Sequence, residues 1–309
     1  MYSKLQFPLK GIIPPLITPL LDNNTLDTES LQRLIEHTIA GGVHGIFILG
    51  TTGEFASLSY KLRKELIEKT CQLVNNRVPV LVGITDSAFT ESVNLAVFAA
   101  KNGADAVVLA PPYYFAASQA ELLQYLEQLA SQMPLPLFLY NIPTHTKVMF
   151  APETVKTIAK IPKIAGIKDS SSNLAYLKQV QFALKERHDF TFLVGPEEFL
   201  AEFILTGGHG GICGGANMFP KLYVDLYNAA VNKNFIKINE LQKKVMQIST
   251  TVYNVGQYDS SYLKGLKCAL SVLGLCSDFM AEPFHRFNLP ERKKIEEALN
   301  ALKMNNTHE

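Results

Sequence analysis

The chain contains no run approaching the roughly 18 apolar residues that suggest a membrane-spanning helix. Its greasiest early segment is interrupted by Pro14, Pro15 and Pro19, and no charged region followed by an unbroken apolar stretch marks a secretory signal. Net charge is almost absent: 29 Lys and Arg against 28 Asp and Glu leave +1. Neither nucleic acid nor an anionic membrane is therefore expected as the main partner. Cysteine is sparse as well. Cys71, Cys213, Cys268 and Cys276 form no CxxC pair and no metal-like cluster. Dispersed thiols of this kind suit a reducing cytoplasm, so a cytoplasmic protein without a metal is expected.

What is present is an ordinary composition, 309 residues with 47% hydrophobic and 18% charged, long enough for a large core. Short apolar, β-rich segments recur at 12–18, 45–49, 78–83, 104–110, 135–140, 164–168, 190–194 and 209–213. Their apolarity is continuous rather than alternating, as in parallel strands covered by helices on both faces. Amphipathic stretches lie between them, such as 31–40, 61–74, 91–100, 121–131 and 174–185. The punctuation agrees. Thr28 and Ser118 have cap character, Gly41, Gly42 and Gly103 stop helices, and Pro152 starts one.

Eight such units predict an α/β fold, a (β/α)8 TIM barrel over residues 1–232. A doubly wound open sheet is the alternative, but no GxGxxG follows the first strand-like segment, so the dinucleotide fingerprint is missing. From about 233 the β signal stops. Helical patterns at 235–248, 263–273 and 290–302 predict a C-terminal helical extension over 233–309, packed on the barrel and not a separate catalytic domain.

Barrel chemistry sits where strands end. GIKDSS, residues 166–171, ends an apolar strand on Lys168. A lysine there is paired, snorkelled to water, or reactive, since an ammonium is costly to bury. A neutral lysine amine forms Schiff bases with ketones. Asp169 is expected to turn the other way, into the barrel–helix interface. Strand two runs into GTTGEF, where Gly50, Thr51 and Thr52 can hold a carboxylate, or can simply form a capped turn. Strand four exits through APPYYF, with Tyr113 and Tyr114 pointing in different directions. Strand five ends in YNIPTHT, where the phenol of Tyr140 can move a proton or can be a core tyrosine with one hydrogen bond.

GPEE places Glu197 and Glu198 at a helix start, where the helix dipole favours acids whatever else they do. GHGGICGGANMFP, residues 208–220, has glycines dense enough for a ligand to rest on backbone. Cys213 within it lacks an activating neighbour in sequence and reads as a small wall residue.

Taken in order, GTTGE, PPYY, YNIP, GIKDS and the glycine-rich eighth strand resemble the dihydrodipicolinate synthase and N-acetylneuraminate lyase family from about residue 10 onward. These are Schiff-base (class I) aldolases and lyases acting on pyruvate and other 2-keto acids. The resemblance implies that Lys168 is the Schiff-base lysine and Tyr140 the general acid/base. Thr51 and Thr52 would bind the carboxylate, with Thr51 joined to Tyr140 in a proton relay. Tyr114 would reach a neighbouring subunit's site in a homotetramer built as a dimer of dimers. Gly50, His145, Ser170, Glu197 and Cys213 complete the expected substrate-binding set. No metal or organic cofactor is implied, because the lysine imine itself is the electron sink; the partners are a 2-keto acid and an aldehyde.

One position departs from the synthases that condense pyruvate with aspartate semialdehyde. They carry an arginine where this chain has His145, and a glycine where it has Lys147. Histidine cannot form the bidentate fork that holds a carboxylate. The sequence therefore leads us to expect aldol cleavage of a 2-keto-3-deoxy sugar acid or sialic-acid-like substrate first. The synthase is the alternative, and a 2-keto-3-deoxy acid dehydratase or a non-catalytic sugar-acid-binding barrel stands behind both.

Overall fold

A computed structural model of the chain describes residues 5–304. Residues 1–4 and 305–309, the outer ends of the expected barrel and extension, lie outside it. Eight parallel strands alternate with helices: β1 Gly11–Ile12, β2 Ile46–Ile48, β3 Val80–Gly83, β4 Ala106–Leu109, β5 Leu137–Asn141, β6 Ile164–Asp169, β7 Thr191–Val194 and β8 Gly210–Gly211. The barrel helices are α1 Thr28–Ala40, α2 Tyr60–Val74, α3 Phe89–Lys101, α4 Gln119–Gln132, α5 Pro152–Ile158, α6 Leu174–Ala183, α7 Leu200–Leu205 and α8 Pro220–Val231. Three more helices follow, α9 Phe235–Thr251, α10 Ser261–Val272 and α11 Leu289–Met304.

From β2 onward each strand pairs with the next through β8, and β8 pairs with β1. The remaining seam closes between β1 and β2, where Leu16 N–H donates to Phe47 O at 2.8 Å and Phe47 N–H to Pro14 O at 3.0 Å. The fold is thus a closed α/β barrel. The strand expected over 12–18 is shorter than its apolar pattern because Pro14 and Pro15 have no N–H to give the ladder. Past Ile12 it survives only as a bridge from Pro15 to Phe47.

Side-chain alternation divides the core in two. Ile13, Phe47, Leu81, Val108, Phe138 and Leu193 fill the barrel interior. Ile46, Ile48, Val80, Val82, Leu137 and Leu139 belong to the larger layer between strands and helices. Both faces of every central strand are dry, which explains the continuous apolar runs.

Helix ends follow the expected chemistry with one shift. Asp27, not Thr28, caps α1 by accepting from Ser30 N–H, whereas Ser118 and Glu121 form a reciprocal capping box on α4. Pro152 opens α5. The antiparallel hairpin Leu20–Asp22 with Thr25–Leu26 has no counterpart in the sequence pattern; two such short strands carry too few residues to show a period. Among the described residues no helix is long and apolar enough to cross a membrane.

Candidate active site

The register of β5 against β6 sets the centre of the site. Tyr140 is the direct neighbour of Lys168, and Asn141 of Asp169. Neighbours in a parallel ladder point to the same face, so the first pair faces the barrel interior and the second the helices. Asn141 donates to Asp169 Oδ1 at 2.6 Å, and Ser171 donates to Asp169 Oδ2 at 2.9 Å. Burial raises the Asp169 carboxyl above its ordinary range, opposed by these two donors. Asp169 therefore faces away from the lysine amine, as its place in the strand requires.

Lys168 is 5% exposed. Its Nζ lies 4.0 Å from the centroid of the Tyr140 ring and 5.3 Å from that of Phe47. Aromatic faces of this kind attract the ammonium and shield it from water. The Tyr140 hydroxyl stands 3.3 Å from Thr51 Oγ1, and either oxygen can donate. Lysine, phenol and threonine from three separate strand ends thus meet at the mouth of the barrel, beside a cavity of about 960 Å³.

Thr51, Thr52, His145, Ser170, Glu197 and Glu198 also line this cavity. Gly50 does not line it. It forms the turn of the loop, its carbonyl accepting from Gly53 N–H at 3.0 Å, and a side chain there would strike the Phe47 ring. Cys213 is likewise corrected as a binding residue. It is fully buried and outside the cavity wall, which Ile212 and Gly214 form instead. Burial first, then the charges of Glu197 and Glu198, hold its thiol well above the ordinary range, so it is not a nucleophile.

Tyr113 lines the cavity and Tyr114 does not. Tyr114 is 73% exposed and packs edge-on with Phe115, itself 80% exposed, centroids 5.0 Å apart. Partial desolvation at the rim of the cavity lowers the pKa of His145 below its ordinary value. Among the described residues no arginine lines the cavity, and Lys168 is its only lysine.

Glu197 is a buried acid of the cavity wall, 4% exposed. Its Oε1 accepts from the hydroxyls of Tyr223 and of Tyr253, the latter at 2.8 Å, and its Oε2 from Gly215 N–H at 2.9 Å. Burial pushes its pKa up to about 7, against the pull of these donors and with a small further push from Glu198. Both oxygens are already engaged by the protein, so this carboxyl serves the wall of the cavity before any ligand.

The sequence pattern missed residues from the C-terminal extension. Tyr253 and Tyr262 line the cavity, and Tyr262 places its hydroxyl 3.2 Å from Thr52 Oγ1. Lys267, fully buried on α10, is ion-paired with Glu54 of the threonine loop and donates to Phe279 O at 2.6 Å. Its position in an amphipathic helix gave no sign of this; the GTTGE glutamate was the only legible half of the pair.

The dihydrodipicolinate synthetase family model matches residues 8–302. A 4-hydroxy-tetrahydrodipicolinate synthase of Cereibacter sphaeroides is 33% identical over 94% of this chain and 98% of its own length. YagE of Escherichia coli, a putative 2-dehydro-3-deoxy-D-gluconate aldolase, is 33% identical over 95% of this chain and 97% of its own. Its crystal structure in complex with pyruvate superposes with a TM-score of 0.90 at 32% identity, covering 96% of this chain and 99% of that one. A dihydrodipicolinate synthase structure from Bacteroides thetaiotaomicron gives a TM-score of 0.94 at 62% identity, covering 96% of this chain and 100% of that chain.

Proposed function

The chain belongs to the dihydrodipicolinate synthetase family of lyases and aldolases, and we propose that Lys168 is the amine through which it acts. The observation that carries this is the buried Lys168 Nζ against the Tyr140 ring, with the Tyr140 hydroxyl bonded to Thr51. In this reading the amine attacks C2 of pyruvate or another 2-keto acid. The carbonyl oxygen leaves as water and an imine forms. Loss of a C3 proton gives an enamine, which adds to an aldehyde; hydrolysis then frees the lysine. The reverse sequence cleaves the C3–C4 bond. Tyr140, backed by Thr51, moves the proton at the hydroxyl or carbonyl oxygen, and Thr51 and Thr52 hold the carboxylate.

Tyr114, projecting from its own barrel, is suited to enter a neighbouring subunit's site in a homotetramer. Residues 1–232 and 233–309 work in this reading as one catalytic unit, since Tyr253 and Tyr262 line the same cavity as Lys168.

The aldehyde is read in two ways. The 62% identity with the Bacteroides synthase supports condensation of pyruvate with aspartate semialdehyde, which moves that reading ahead of the sugar-acid reading drawn from sequence. A second reading keeps one specific support: among the described residues the cavity wall offers no guanidinium for a second carboxylate and instead carries Ser57, Thr85, Thr144 and Ser260 beside Glu198 and Asp259. Such a wall suits a hydroxylated aldehyde released from a 2-keto-3-deoxy acid.

Borohydride reduction in the presence of pyruvate tests the chemistry, with one pyruvyl adduct on Lys168 expected by mass spectrometry. Absence of the adduct overturns the Schiff-base reading. Turnover of pyruvate with aspartate semialdehyde, compared with pyruvate release from a panel of 2-keto-3-deoxy acids, decides the aldehyde.

A further inference from the structure

Gly214 and Tyr262 line the cavity together, Gly215 and Tyr223 pack beside them, and in each pair the glycine makes room for the tyrosine. A Cβ on Gly214 would lie 1.8 Å from the Tyr262 hydroxyl, and one on Gly215 would lie 2.0 Å from the Tyr223 hydroxyl. The glycine-rich segment after β8 thus makes room for phenols, where its sequence suggested a bare backbone platform for ligand. Tyr253 packs edge-on against Tyr262, ring centroids 4.7 Å apart at 70°. The Tyr253 hydroxyl is in turn fixed on Glu197. The Tyr262 ring therefore has a defined place, and its hydroxyl reaches Thr52.

We propose that Tyr262 is a positioning residue for the 2-keto acid: it donates to Thr52 Oγ1 and so turns the threonine's own hydrogen toward the substrate carboxylate. The direction follows from the donor inventory. A threonine hydroxyl has one hydrogen, and an ionised carboxylate only accepts. If Thr52 donated to Tyr262, its lone pairs would face the carboxylate and repel it. With Tyr262 as donor, Thr52 is left free to donate into the cavity. Burial, together with the nearby Glu197 charge, raises the pKa of the Tyr262 phenol, so it keeps the proton this role requires.

This inference rests on the Schiff-base reading, and the test separates the two. Borohydride trapping is followed against pyruvate concentration for the wild type, Tyr262→Phe and Gly214→Ala. Tyr262→Phe keeps the ring packed on Tyr253 and removes only the hydroxyl. Its half-saturating pyruvate concentration is expected to rise about tenfold, the effect of losing one hydrogen bond, with full labelling of Lys168 at saturation. Gly214→Ala, which displaces the same hydroxyl, is expected to shift half-saturation in the same direction; Tyr262→Phe alone decides if Gly214→Ala does not fold. An unchanged half-saturation in a folded Tyr262→Phe protein overturns the inference and leaves the Schiff-base reading standing, even if the melting temperature falls. Incomplete labelling at saturating pyruvate also overturns it, because the hydroxyl then acts on the chemistry. An unlabelled wild type overturns both.

Discussion

Lys267 on α10 and Glu54 in the loop after β2 form an ion pair whose side chains are 0% and 2% exposed. Glu54 sits in a left-handed conformation, φ 57°, and its other oxygen accepts from Ala281 N–H at 2.8 Å. The pair ties the loop that carries Thr51 and Thr52 to the C-terminal helices.

Removing one partner leaves a buried charge without compensation. Lys267→Met is expected to lower unfolding free energy by about 3–5 kcal/mol, and the double variant Lys267→Met with Glu54→Gln to recover much of that loss. Urea denaturation of the three proteins checks this. A loss below about 1 kcal/mol in the single variant would show that the pair is not as dry as its burial indicates.

Tyr140→Phe removes the hydroxyl bonded to Thr51 and leaves the ring against Lys168. Turnover is expected to fall by about 10²–10⁴-fold, the usual worth of a positioned proton donor. Steady-state kinetics reads the effect, and an undiminished kcat would remove Tyr140 from proton transfer.

Glu197 makes stability depend on pH. Its folded pKa of about 7 lies above the ordinary 4.5, so the native state holds this proton more tightly than the unfolded chain does. The contribution is fully present below about pH 4.5 and is lost as pH rises to about 7, a change on the order of 3 kcal/mol. Glu197→Gln is expected to abolish this part of the slope. Denaturation curves of both proteins across that window, differing by a constant, would contradict it.

His145→Arg restores a guanidinium to the wall of the cavity. If a second carboxylate is a substrate group, KM for aspartate semialdehyde is expected to drop about tenfold, through a charge-assisted bidentate contact. A hydroxylated aldehyde gains nothing from the change. Initial rates with both aldehydes, at saturating pyruvate, give the comparison.

Much of this site was legible in the chain because each motif follows a strand, and a strand's end is fixed by where its apolar run stops. Lys168, Tyr140, Thr51 and Thr52 are placed that way, and the family resemblance, not the pattern, singled them out for chemistry. The roles of Gly50, Gly214 and Gly215 were not, since a glycine reports only that space is needed and never what fills it. Cys213 misled for a similar reason. One step along the chain turns a side chain from the cavity into the packing layer, and two very short strand residues give no period from which to tell which face is meant.

The sequence by itself determined the barrel, its eight repeats and the lysine's place, because burial on both strand faces and helical amphipathicity are local patterns written residue by residue. Only the tertiary structure decided that Lys267 answers Glu54, that Tyr262 reaches Thr52, and that Glu197 spends both oxygens on the protein. Those partners lie far apart along the chain. Their meeting depends on how the last helices settle over the barrel mouth, a question of shape and of satisfying buried polar groups that no local pattern encodes.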